Sequence, residues 1–106
     1  MTNQEYLLPA DECLSRVECW LDEFDPVEVD YSTTDGMVSI EFPDGTRFVL
    51  NRQSGNDQMW FAAGVRASHY DFDEGTGAWL DDRDRHDLFA RIAEVVGEKL
   101  GRSVSF

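Results

Sequence analysis

Ala10, Cys13, Leu14, Val17, Trp20, Leu21 and Phe24 recur at spacings of three and four, and the pattern stops at Asp25-Pro26. That spacing lays one apolar stripe along an amphipathic helix. Pro26 ends it, because a residue before proline is pushed out of the helical region. Thr2 and Glu5 have capping-box spacing, yet Pro9 interrupts the pattern. The helix is expected either to start at Pro9 or to kink there. A period of two then takes over. Val27, Val29 and Tyr31 alternate with Glu28, Asp30 and Ser32, as in a half-buried strand. Asp35-Gly36 is a hairpin signal before MVSIEF, and PDGT at 43 to 46 makes the next turn before RFVLN. A loop through SGND leads to QMWFAA, and SHYDF and AWLDD supply up to two more strands.

Helical spacing returns at the end of the chain. Leu88, Phe89, Ile92, Val96 and Leu100 form an apolar stripe, with Asp84 as the expected N-cap and Gly101 as the stop, after which SVSF trails off. The order is helix, five or six strands in short hairpins, helix. Hairpins imply an antiparallel sheet, one face of which the helices can cover. The expected fold is therefore α+β, a two-layer sandwich with both terminal helices on one face of the sheet. The chain has 106 residues and no repeat, linker or low-complexity tract, so 1–106 reads as one domain.

Charge narrows the function. Residues 1 to 46 hold twelve of the 22 acids but only one of the nine bases, Arg16, so they carry −11 of the formal −13. This balance repels nucleic acid and anionic membranes and attracts cations and basic protein faces. The chain still carries seven Phe, three Trp and three Tyr, more than a disordered acidic tail would have. No stretch is long and apolar enough to span a bilayer, and MTNQEYLLPADEC lacks the features of a signal or transit peptide. Cys13 and Cys19 lie about 120° apart around one helix and cannot pair, which fits a reducing cytoplasm.

The densest charge lies in ECWLDEFDPVEVD, residues 18 to 30, with no Lys or Arg among its carboxylates. At 100° per residue, Asp11, Glu18, Asp22 and Asp25 fall within about 60° of one another, some 120° from the apolar stripe. Glu28 and Asp30 carry the acidic surface onto the first strand. An ordinary solvated helix face mixes signs, since like charges four apart oppose the helix. Asp22, Glu23 and Asp25 also stand at the negative end of the helix dipole, at a cost of about 0.3–1 kcal/mol each. A surface kept at such a cost points to use. Exposed carboxylates suit hard cations such as Mg²⁺, Ca²⁺, Mn²⁺ and iron, held weakly and exchanged readily. On the strand at 58 to 63, burial of Met59 and Phe61 turns Trp60 outward beside Asn51, Arg52 and Gln53, the composition of a protein-binding hot spot. Cys13 reads as core. Cys19 and His69 read as structural, and a weak cation site at His69, Asp71, Asp73 and Glu74 is set below a simple polar strand edge. No HExxH, CxxC, phosphate-binding glycine loop or nucleophile–base pair is present.

LNRQ followed by QMW, then HYDFDE, a Trp, D-R, a helix and a closing VSF, resembles the frataxin family in its bacterial, CyaY-type form over essentially the whole chain. The resemblance implies an iron-binding, non-enzymatic accessory protein of iron–sulfur cluster assembly in the bacterial cytoplasm. It implies an acidic ridge of Glu18, Asp22, Glu23, Asp25, Glu28 and Asp30 that meets Fe²⁺ or Fe³⁺ weakly, other divalent cations being alternatives. It also implies that the ridge meets a basic patch on a cysteine desulfurase, while Asn51, Gln53 and Trp60 face the desulfurase–scaffold complex. The expected state is a monomer, with an iron-dependent oligomer as its variant. Two positions depart from the family pattern: Cys19 stands where relatives often carry an acid, and Pro9 interrupts a helix that usually runs on. The rival reading is a ferroxidase or iron store at clustered carboxylates. It lacks the four-helix pattern and Glu-x-x-His spacing of such sites.

Overall fold

The computed structural model describes residues 3–106, so the Thr2 half of the capping box lies outside the described residues. Eight elements follow in order: α1 (Asn3–Leu21), β1 (Asp30–Thr34), β2 (Met37–Glu41), β3 (Arg47–Gln53), β4 (Gln58–Ala63), β5 (Arg66–Asp73), β6 (Ala78–Asp81) and α2 (Leu88–Leu100). The strands pair antiparallel in sequence order, giving a six-stranded meander. The period-two pattern sorts the faces. Val38, Ile40, Phe48, Leu50, Met59, Phe61, Tyr70 and Trp79 point to the helices and are buried. They meet Tyr6, Ala10, Cys13, Val17 and Leu21 of α1 and Leu88, Ile92 and Val96 of α2 in one core. This is the expected two-layer α–β sandwich.

Several local expectations change. α1 runs through Pro9 instead of starting there. Its first turns are anchored by burial of Tyr6, whose hydroxyl donates to the Gln58 carbonyl at 2.6 Å, and by burial of Ala10. The helix stops at Leu21, short of Asp25-Pro26. Glu23 and Phe24 instead make the tighter i→i−3 bonds of turns. β1 begins only at Asp30, so Val27 lies in a turn and is exposed, while Val29 alone of the two valines is buried. Arg52 does not share a face with Asn51, Gln53 and Trp60. Alternation turns it toward α1, where it pairs with Asp11 and, at 3.4 Å, with Asp35.

The N-cap of α2 is Asp87, not Asp84. Asp87 is extended, and its side chain accepts from the Ala90 N–H at 2.9 Å. Gly101 closes the helix in the left-handed region at φ 72°, as expected. The last residues do not trail off. The Trp20 indole donates to the Ser105 carbonyl at 2.8 Å, and its ring stacks on Phe106 at 4.2 Å. Phe106 also packs on Phe89, over which the Arg16 guanidinium lies.

The turn back to this strap crosses Gly97. A Cβ there would stand 2.7 Å from the Arg102 carbonyl oxygen. Gly→Ala within a helix normally gains up to about 1 kcal/mol. Here the sign should invert, with Gly97→Ala costing about 1–3 kcal/mol through overpacking. Urea unfolding monitored by tryptophan fluorescence checks this, and a stabilised variant would contradict the close approach.

Candidate functional site

The acidic surface is assembled from three local pieces. Glu18 stands on the last full turn of α1 and is half-buried, whereas Asp22, Glu23, Asp25, Glu28 and Asp30 are exposed. The Asp22 N–H makes the last helical bond, to the Glu18 carbonyl, and its carboxylate accepts the Tyr31 hydroxyl at 2.6 Å. That bond ties the end of α1 to β1. Asp25 organises the turn between them. Its carboxylate accepts from the Val27 N–H at 2.9 Å, and its carbonyl accepts from Glu28 and Val29 at 2.8 and 3.0 Å. Glu28 takes an ion pair from Arg102 at 2.9 Å, so it is not free of basic partners as the local sequence suggests. Asp30 opens β1 directly opposite Glu41 of β2. Glu41 thus extends the acidic surface, and sequence reasoning missed it. Counting outward in pairs from the Asp35-Gly36 turn would have found it.

The six ridge residues line one continuous path from α1 through the turn into β1. They do not form a cage. Among the described residues, no three ridge carboxylates converge within 4.8 Å of one another. Cys19 is an exposed free thiol beside them, while Cys13 is buried and pushed up to about 12 by that burial.

On the far side of the sheet, register places Met37, Asn51, Trp60 and His69 in one row across β2 to β5. Trp60 stacks on His69 with ring centroids 4.2 Å apart and 18° between planes. Its indole donates to Gln58 Oε1 at 3.0 Å, and Gln58 Nε2 donates to Asp71 at 2.9 Å and Asp82 at 3.3 Å. Gln53 lies opposite Gln58. Asn51, Gln53 and Trp60 therefore share the outward face and are half-buried, with Trp60 braced laterally by His69 and Gln58. Such an aromatic needs little further ordering to act as an anchor. The His69, Asp71, Asp73 and Glu74 group is not brought together. His69 and Asp71 belong to that polar face, and Asp73 holds the following turn through Thr76 and Gly75.

All three tyrosines are held neutral to higher pH than usual, each pushed up from 10 to about 12. Burial does this for Tyr6 and Tyr70, and the Asp22 carboxylate does it for Tyr31. Folding raises these values, so their stabilisation is complete below pH 10 and lost as the pH rises from 10 toward 12. Absorbance of tyrosinate should therefore stay low in the folded chain at pH 10.5, and Asp22→Asn should return Tyr31 alone toward 10. Ionisation of a tyrosine near 10 in the folded wild type would contradict these contacts.

Comparison with known proteins gives a consistent answer. The family model for the frataxin-like domain matches residues 1–102. The iron–sulfur cluster assembly protein CyaY of Delftia acidovorans is 31% identical over 109 residues, covering 100% of this chain and 97% of that one. The solved frataxin of Psychromonas ingrahamii superposes with a TM-score of 0.88 at 26% identity, covering 99% of this chain and 97% of its own. Trimeric frataxin of Saccharomyces cerevisiae, complexed with ferrous iron, gives 0.76 at 25% identity over 89% of this chain and 87% of that one.

Proposed function

Because this chain belongs to the frataxin-like family, we propose that it serves iron–sulfur cluster assembly as a non-enzymatic accessory protein. It presents iron weakly on the ridge of Glu18, Asp22, Glu23, Asp25, Glu28 and Asp30. It docks on the cysteine desulfurase and its scaffold through that ridge and through Asn51, Gln53 and Trp60. The observation that carries this reading is the ridge itself: carboxylates along one path, all exposed but the half-buried Glu18, with a single ion pair to the described residues, Arg102 to Glu28. Separate, hydrated carboxylates favour weak, exchangeable binding of a hard cation over a closed cage. Iron is cargo here, not a resident cofactor. The ferrous complex of the yeast relative supports iron as that cation.

Anaerobic titration of Fe²⁺ into ¹⁵N-labelled protein tests the ridge. Broadening is expected at amides of residues 18 to 30. Uniform or absent broadening would remove iron and leave an electrostatic docking surface. Oxygen uptake after Fe²⁺ addition separates the accessory protein from a ferroxidase, for which uptake would continue catalytically. The working state we propose is a cytoplasmic monomer. The trimeric yeast relative motivates sedimentation with and without Fe²⁺ as the check for iron-driven association.

A further inference from the structure

Ligating atoms converge at a second place, the loop between β6 and α2. Asp30 opens β1 at one edge of the sheet and Asp81 closes β6 at the other. Five strand spacings, about 24 Å in all, therefore separate this loop from the ridge. Asp81, Asp84 and His86 each offer one ligand atom, all within 4.8 Å of one another, and they are the only such group among the described residues.

Asp81 is only 4% exposed. Its Oδ1 accepts the N–H groups of Arg83 at 2.7 Å and Asp84 at 3.0 Å. Its Oδ2 accepts no hydrogen bond among the described residues and faces His86 Nδ1 at 4.0 Å. That oxygen keeps solvent contact, and its lone pairs are open to a cation. Asp84 Oδ1 lies 2.5 Å from the same Nδ1. The other ring nitrogen, Nε2, is 2.7 Å from the hydroxyl of fully buried Tyr70. A ligating imidazole needs such an outer partner to fix its tautomer and orientation.

We propose that Asp81, Asp84 and His86 bind a divalent first-row transition ion through two carboxylate oxygens and Nδ1, with water completing the coordination. This site does not depend on the ridge reading. With bonds of about 2.1 Å, tetrahedral ligand atoms stand roughly 3.4 Å apart. The separations from Nδ1 of 2.5 and 4.0 Å bracket that figure. Placing the ion on Nδ1 opens the short contact and closes the long one. The ring keeps its proton on Nε2 and donates it to the Tyr70 hydroxyl. Arg66 and Arg91 line the adjoining cleft and oppose a cation, although Arg91 is engaged by Glu94. The imidazole therefore matters: it favours iron, cobalt, nickel or zinc over Ca²⁺ or Mg²⁺. In the sequence the site reads as D-x-x-D-x-H over residues 81 to 86.

The test is titration of Co²⁺ into the ¹⁵N-labelled full chain at pH 7, with Zn²⁺ as the diamagnetic reference. Amides of 81–87 should shift and broaden, and His86→Ala should weaken binding there at least tenfold. Asp84→Asn, at an exposed position, serves as the second variant should His86→Ala fail to fold. Tyr70→Phe should cost about tenfold while keeping all three ligands. Unperturbed 81–87 amides at millimolar Co²⁺, or unchanged affinity in folded His86→Ala or Asp84→Asn, would overturn the site. Broadening at 18–30 alone overturns this site and leaves the ridge standing. Broadening at 81–87 alone supports this site and removes transition-metal binding from the ridge.

Discussion

Lysine at Glu18, Asp22 and Glu23 together should weaken the proposed docking on a cysteine desulfurase by about a hundredfold, equivalent to roughly 2.8 kcal/mol. The change moves the formal charge from −13 to −7, since each reversal adds two. Each reversed charge turns an attraction to a basic partner into a repulsion. At a partly screened interface that is worth on the order of 1 kcal/mol per residue. Isothermal calorimetry across a salt series measures it. The wild-type affinity should fall steeply with ionic strength, and the variant's should barely respond. Stability should not suffer. Among the described residues, Glu18 and Glu23 make no side-chain hydrogen bond or ion pair, and Asp22 holds only the exposed Tyr31 hydroxyl. Relief of like-charge repulsion at the end of α1 should keep the thermal midpoint level or raise it. Unchanged docking in a folded variant would sink the electrostatic contribution of the ridge.

The largest stability effect is expected at Trp20. Its ring is 4% exposed, stacks on Phe106, meets Phe24 edge-on at 4.9 Å and donates to Ser105. Trp20→Ala empties a large volume at the junction of α1, α2 and the final residues, at about 3–5 kcal/mol. For a domain this size, the midpoint should fall by roughly 15 °C or more. Phe106→Ala removes only one partner of the stack and should cost less. Calorimetry on both variants tests whether the strap is structural. Equal and small losses would mean that the final residues contribute little.

Most of the architecture was legible because it rests on periodicity. Spacings of three and four marked α1 and α2, and spacing of two marked the strands and placed Met59 and Phe61 inside with Trp60 outside. Such signals survive in one dimension because each element repeats its own geometry. The turn at Asp35-Gly36 and the stop at Gly101 were legible for a similar reason, since each reports a local backbone need. Boundaries were less legible. The stop at Leu21, the start of β1 at Asp30 and the choice of Asp87 over Asp84 as cap depend on which local hydrogen bonds compete best. Arg52 was misplaced because it was grouped with its neighbours by position, not by phase.

The sequence by itself determined the element order, the two-layer class and the acidic path from Glu18 to Asp30, since charge and periodicity are properties of neighbouring residues. Contacts between residues distant in the chain were decided only by tertiary structure. Arg102 reaches Glu28 across 74 positions, Trp20 meets Ser105 across 85, and Tyr70 meets His86 from another element. Each depends on how strands and helices are laid side by side, and pairing of that kind leaves no period in the chain. The same holds for Asp81. Its place in the sequence shows an acid at a strand end, but only the folded structure buries it and brings His86 opposite it.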